Sequence, residues 1–373
     1  MSVTPDIILK QSLRKLEFPL CAKEALVRIG ELVCARVTNI KHMDFCLALM
    51  SEFLFYEIDR RGNKRTTPLT PTSELQLIMV LFNYFTSLED ESTRNTVFLS
   101  LFTGTTANQR IGVLGKLVSI AAGVQCASIL ISATAWMQQL GNNSEISCKL
   151  ADVIVFDYFV LIPSGNSKLS ALPEIAPQFV ANFLTASAEN YFIEKDENMV
   201  FPPYKFLETV TDYISNNNSL CIAAQQNPPI LPSGAIAMES NTPIAGLLKW
   251  CVLAPLYNQT SLLYGELHLA LLESILQIPV TNPPKAISAQ SLCNIIQSIM
   301  SYVSNLKKKN KNLNEIIDHK PLQKSLNRLA QAVQVAFSVK CVYGKVDELV
   351  SQLLILPYNK LMKIVINAHK QMK

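Results

Sequence analysis

Gly112, Gly115 and Lys116 lie close enough together to raise phosphate binding. A phosphate cradle needs a glycine at position 110 and a hydroxyl after the lysine, because backbone N–H groups and that hydroxyl must reach the phosphates and their metal. Arg110 and Leu117 stand there instead, so the glycines read as small residues for close helix packing. The histidines, His42, His268, His319 and His369, form no His-x-x-x-His or His-x-Glu pattern. Neither a metal site nor a cofactor site is expected. His268 falls in the apolar segment Leu262 to Leu276, where a hydrogen-bonded, partly buried imidazole is expected in preference to a general base. A Gly-x-Ser-x-Gly elbow does not occur, so nothing organises a serine nucleophile. The chain reads as a non-enzyme.

Nine cysteines are spread from Cys21 to Cys341 without a C-x-x-C pair. That spacing suits neither a zinc cluster nor the disulfide framework of a small secreted chain, so they read as reduced thiols packed as small hydrophobes. The first residues show no signal-peptide pattern, with Asp6, Lys10 and Arg14 among the apolar ones. At 373 residues with 49% apolar and only 17% charged side chains, the chain has less charge than a free monomer normally uses to cover itself, so part of its surface is expected to meet partners. A net charge of +4 makes no case for nucleic acid, and no direct nucleic-acid contact is expected.

Apolar residues recur at i, i+3, i+4 and i+7 almost throughout, which predicts an all-α chain. Helices are expected near 5–17, 20–38, 42–59, 73–88, 91–102, 108–123, 126–140 and 145–161. Further helices are expected near 173–192, 203–217, 243–256, 259–277, 286–306, 321–340, 344–355 and 358–370. Pro71, Thr72, Ser73 and Gln76 form a capping-box pattern with Ser73 as the cap. The stretch from Leu117 to Ser144 has no charged residue or histidine. Its length could span a bilayer, but Gly123 divides it into two helices of about 22 Å against a hydrocarbon core of about 30 Å. The second helix also keeps a polar stripe of Gln125, Ser128, Ser132 and Gln139, which lipid would leave unpaired.

The architecture expected is an irregular HEAT-like helical repeat, an α-solenoid of antiparallel helix pairs. Fifteen of the 19 prolines fall after residue 162. This divides the chain into an N-terminal array, 1–162, and a C-terminal array, 163–373, continuous with it and carrying Pro-rich linkers near 225–242 and 279–285. The linker from Gln225 to Thr242 is expected to cross a surface.

Two basic clusters remain, Arg60, Arg61, Lys64 and Arg65 in one loop and Lys307, Lys308, Lys309 and Lys311 in another. Either suits a solvated surface, a nuclear import signal or contact with a phosphate backbone, though neither has the interleaved aromatics of single-strand stacking. Residues 321–340 form a strongly amphipathic helix with Leu322, Leu326, Leu329 and Val333 on one face. It is expected to pack, with Arg328 open to a second role against an acidic partner.

Several segments taken in order resemble the fifteenth subunit of the Integrator complex. They are Glu-Leu-Gln-Leu at 74–77 leading to Asn-Tyr-Phe at 83–85, and Leu-Gly-Lys-Leu-Val-Ser at 114–119. Then come the run Pro243 to Leu256, Leu-Leu-Tyr at 262–264, Leu-His-Leu at 267–269, and Arg-Leu-Ala-Gln-Ala at 328–332. The likeness covers roughly residues 20 to 366, without the basic insertion and the Pro- and His-rich tail of some relatives.

The resemblance implies a non-catalytic nuclear scaffold of a complex that binds RNA polymerase II and processes small nuclear RNA 3′ ends. It implies helping to join the arm module, subunits ten, thirteen and fourteen, to the rest, with subunit ten as direct neighbour and no membrane contact. Lys249 and Arg328, cations within otherwise apolar matched motifs, are the candidate protein contacts. The alternative is a helical-repeat adaptor of another nuclear process such as transport.

Overall fold

A computed structural model describes residues 5–35, 40–59, 61–104, 107–161, 169–195, 198–232, 234–238, 241–279, 284–309 and 319–372. Within them lie eighteen α-helices and four very short strands, so the periodicity reading of a mostly helical chain holds. The chain divides into two compact units, Met1–Leu140 with Pro229–Met238, and Gly141–Pro228 with Glu239–Lys373.

The first unit contains α1 (Pro5–Lys15), α2 (Leu20–Cys34), α3 (Ile40–Leu54), α4 (Pro71–Ser87), α5 (Glu91–Phe102), α6 (Ala107–Gly123) and α7 (Ala127–Leu140). α7 is its central helix, packed against α4, α5 and α6, with Trp136 fully buried and donating Nε1–H to the Phe102 carbonyl at 2.9 Å. Gly123 ends α6 and splits the uncharged stretch as expected. Among the described residues no helix is long and apolar enough to cross a membrane.

The polar stripe of α7 meets protein. Ser132 is buried and donates to Asn95 Oδ1 at 2.7 Å, and Asn95 Nδ2 in turn donates to the Ile230 carbonyl at 2.7 Å. Ile230 belongs to the proline-rich strap 229–238, which lies on α5 and α7. Its Ile230 N–H donates to Glu91 Oε1 and its Met238 N–H donates to the Gln138 carbonyl. Apart from one internal turn bond, Ala235 N–H to the Pro232 carbonyl at 2.9 Å, these N–H groups take their acceptors from the helices. Residues 233, 239 and 240, within the expected linker, and residues 280–283 lie outside the described residues.

The second unit contains α8 (Glu145–Val155), continued by a π-helical turn over Phe156–Leu161, then α9 (Leu172–Ile175), α10 (Pro177–Glu189), α11 (Tyr204–Asn216) and α12 (Ala223–Gln226). It continues with α13 (Ile244–Leu253), α14 (Leu263–Leu276), α15 (Ala289–Lys309), α16 (Lys320–Ser338), α17 (Val346–Leu354) and α18 (Lys360–Met372). α13 is wrapped by α10, α14, α15 and α16, which explains why seven of its ten residues are buried. Two strand pairs were not expected from periodicity. β1 (Ile193–Lys195) and β2 (Asn198–Val200) form an antiparallel hairpin, and β3 (Ile287–Ser288) pairs in parallel with β4 (Val342–Tyr343).

Local chemistry corrects four readings. Thr70, not Ser73, caps α4 and accepts from the Ser73 N–H at 3.2 Å, because Pro71 is preorganised for the first helical position. The helix expected over 173–192 breaks at Ala176 ahead of Pro177, which disfavours a helical residue before it. Gly112 faces open space, so close packing does not account for it, whereas Gly115 is buried. Lys307, Lys308 and Lys309 sit on the last turn of α15 and not in a loop, where cations complement the helix dipole.

Candidate interaction surface

The segments that carried the resemblance come together inside each unit. In the first, Lys116 of α6 ion-pairs with Glu74 of α4, so the lysine beside the glycines meets a carboxylate. Phe85 from the same α4 motif is fully buried against Phe98, with ring centroids 5.2 Å apart. Arg110, in place of the cradle glycine, is 5% exposed and grips Glu57 with Nε–Oε1 at 3.0 Å and Nη2–Oε2 at 3.1 Å. Its Nη1 donates to the Leu101 carbonyl at 2.9 Å and its guanidinium lies 4.2 Å over the Phe55 ring. Among the described residues no group of His, Cys, Asp and Glu could hold a metal ion.

In the second unit the run Pro243 to Leu256 forms α13 and its 3₁₀ extension. Gly246 allows α13 to approach α10 closely, since a Cβ there would stand 2.5 Å from Ala188 Cβ. One turn on, Trp250 is fully buried, donates Nε1–H to the Ala188 carbonyl at 3.1 Å and meets Tyr191 edge to face. Arg328 of α16 donates from Nη1 to the Cys251 carbonyl at 2.6 Å and is 9% exposed. Its Nη2 lies against Gly265 of α14, where a Cβ would come within 3.3 Å. This sequence-selected cation thus serves a contact between helices. The partner is a backbone carbonyl 77 residues away, which no sequence pattern marks.

His268 of α14 completes the same cluster. It is 3% exposed, and its Nε2 shares a 3.1 Å hydrogen bond with Gln331 Oε1 of α16. Because Oε1 can only accept, Nε2 carries the proton in this pair. Burial, reinforced by the nearby Arg328 charge and opposed by Gln331, lowers the His268 pKa to about 4. Above pH 6.5 the folded and unfolded chains both hold this ring neutral. Below it the unfolded chain binds a proton that the folded chain refuses, so stability drops as pH falls from 6.5 toward 4, by about 2 kcal/mol at pH 5 from this group. His268→Gln is expected to remove that share: the loss in urea midpoint between pH 7 and pH 5 shrinks relative to the parent, and an unchanged loss would refute it.

Lys249 occupies a different setting. It is half-buried on α13, with its pKa lowered by burial and supported in the charged form by Glu189 and Cys148. Asn190 ties that neighbourhood together, donating Nδ2 to Asp152 Oδ1 at 2.7 Å and to the Cys148 carbonyl at 2.9 Å. The residue as a whole is only partly covered by the fold.

Of the import candidates, Lys307 and Lys308 are exposed. The Lys309 side chain and Lys311 lie outside the described residues. In the other cluster Arg61 and Lys64 are exposed, while Arg65 stacks 3.2 Å over Tyr56 and donates Nε–H to the Ile58 carbonyl.

One surface went unnoticed in the composition. Residues 319–373 hold nine Lys or Arg and only two Asp or Glu, a local excess larger than the net charge of the whole chain. On the same segment Leu354, Ile355, Tyr358 and Ile364 are each more than half exposed.

Comparison with known proteins bears on these motifs. Residues 8–358 match the family described as Integrator complex subunit 15. The chain belongs to that family. The Integrator complex subunit 15 of Drosophila melanogaster is 38% identical over 383 residues, covering 100% of both chains. Those of Homo sapiens and Danio rerio are each 28% identical, covering 87% and 86% of this chain and 78% and 71% of theirs. None of these names states a catalytic activity. Within an Integrator complex subunit 15 chain, the Gly246–Trp250–Arg328–His268 cluster therefore reads as the tie that holds the second unit's central helix.

Proposed function

We propose that the chain is a non-catalytic scaffold subunit of the nuclear Integrator complex, acting in RNA polymerase II transcription and small nuclear RNA 3′-end processing. The observation that carries this reading is the end-to-end match to Integrator complex subunit 15 of Drosophila melanogaster. The commitment of the motif cations Arg110, Lys116 and Arg328 to internal partners supports it, since polar groups spent within the fold set geometry and perform no chemistry. In this reading the helices form an irregular HEAT-like stack, with α13 as the wrapped exception. That stack helps join the arm module, subunits ten, thirteen and fourteen, to the rest of the complex. Its distances would be fixed by packing, and ordinary-sized interfaces would supply the affinity.

In this reading Lys249, which is less buried than Arg328, is the better partner contact of the two candidate cations. Arg328 acts through the packing of α16 on α13. Lys307 and Lys308, with Lys309 and Lys311, form the import signal. Affinity purification of the tagged full chain from nuclear extract is expected to recover subunits ten, thirteen and fourteen by mass spectrometry. Recovery of no Integrator subunit would overturn the reading.

A further inference from the structure

We infer that the carboxyl-terminal end of the second unit is a docking surface for an acidic amphipathic helix of a partner protein. This rests on the scaffold reading and adds the chemistry of one partner. The turn between α17 and α18 is rigidly mounted. Asn359 is 5% exposed and caps α18 by accepting from the Met362 N–H at 2.8 Å. Its Nδ2 donates to Gln323 Oε1 and Asn327 Oδ1 of α16, and Gln323 Nε2 donates to the Tyr358 carbonyl at 3.0 Å. The apolar side chains on this mount nevertheless point outward, with Leu354 55%, Ile355 57%, Tyr358 58% and Ile364 54% exposed. A built turn that exposes Ile355 and Tyr358, flanked by exposed Leu354 at the end of α17 and Ile364 near the start of α18, is the pattern of an interaction site.

Charge selects the occupant. Lys360, Lys363, Ile364 and Asn367 follow i, i+3, i+4, i+7 spacing on the exposed face of α18, and Lys324 lies beside Gln323 on α16. Among the described residues none of these lysines has an ion-pair partner, and no Asp or Glu occurs from Leu349 to Lys373. The acids of this region, Asp347 and Glu348, lie in the first turn of α17, at the end away from Leu354, where Glu348 pairs with Lys345. A second copy of this face would set lysines against lysines, which costs affinity. Single-stranded RNA would use the lysines and the Tyr358 ring but gain nothing from Leu354, Ile355 and Ile364, three of the four exposed apolar groups, which cannot stack on bases. A helix with Asp or Glu flanking Leu or Ile at helical spacing satisfies both the cations and the aliphatic groups.

The test uses the tagged full chain in three forms besides the parent: Lys324→Glu with Lys360→Glu and Lys363→Glu, Tyr358→Ser with Ile364→Ser, and a Lys23→Glu with Lys64→Glu control. Far-ultraviolet dichroism checks that each is folded. Lysine cross-linking and mass spectrometry after nuclear-extract purification are expected to join Lys324, Lys360 or Lys363 to an acidic, amphipathic segment of one Integrator subunit. Recovery of that subunit is expected to fall about tenfold in both patch variants and not in the control. It should also weaken as salt rises, because exposed charges are screened. A fluorescein-labelled synthetic amphipathic helix bearing Glu and Leu on one face is expected to bind the parent and lose about tenfold affinity for each patch variant.

Undiminished recovery of every subunit by folded patch variants would overturn the inference and leave the scaffold reading intact. Failure of the labelled helix to bind the parent, or cross-links abolished by ribonuclease, would also overturn it. A parent chain that recovers no Integrator subunit yet binds the labelled helix through this patch would instead sink the scaffold reading alone.

Discussion

Trp250→Ala is expected to destabilise the second unit by about 3–5 kcal/mol, the range for emptying a fully buried aromatic site. The indole is the middle of an edge-to-face aromatic cluster that includes Tyr191 at 5.5 Å and Phe206 at 6.1 Å between ring centroids. Tyr191 follows the end of α10 and Phe206 lies on α11, and α13 itself is held at close range by Gly246, so collapse into the cavity is opposed from several sides. The substitution also strands the Ala188 carbonyl that accepts the indole N–H. Trp250→Phe separates the two losses. It keeps much of the volume but leaves the same carbonyl unpaired, and is expected to cost about 1–3 kcal/mol. Urea unfolding followed at 222 nm decides: a midpoint for Trp250→Ala within error of the parent would show that α13 is not the helix around which the unit is packed.

Arg110→Ala is expected to cost the first unit about 3 kcal/mol, the low end for breaking a buried pair, because the Glu57 side chain keeps 29% of its exposure. Three partners lose their contact together: the Glu57 carboxylate, the Leu101 carbonyl and the Phe55 ring face. Arg110→Lys is expected to recover only part of the loss, since an ammonium cannot supply the bidentate fork. Glu57→Gln, which leaves the guanidinium its carbonyl and its ring, should be milder than Arg110→Ala in the same urea titration. The reverse order would mean that the carboxylate and not the guanidinium organises this site.

The two expectations mark what could and could not be seen from residues alone. Helix positions were legible because apolar periodicity is a local signal. α5 falls on its expected residues, and α6 and α7 begin within one residue of theirs. Where a boundary depended on something distant it was missed. α3 was expected to run to residue 59 but stops at Leu54, since Tyr56 takes a left-handed backbone with φ of 56° and Glu57 turns to meet Arg110 from α6. The three-residue strands carry too little alternation to register, and β3 finds β4 more than fifty residues later.

The candidate cations were legible as unusual but not as to direction. A charge within an apolar motif meets either a partner or a buried carbonyl, and only the fold shows that Arg328 meets a carbonyl. The basic segment 319–373 was open to counting, but a net charge taken over the whole chain averages it away.

The two tryptophans give the chain a use beyond packing. Trp136 is buried in the first unit and Trp250 in the second, each with its N–H on a backbone carbonyl, and no other tryptophan is present. Each unit therefore carries its own intrinsic fluorophore, shielded from water until that unit opens. In single-tryptophan forms the emission shift on unfolding reports one unit at a time, and a binding partner that steadies one unit would appear in one colour change and not the other.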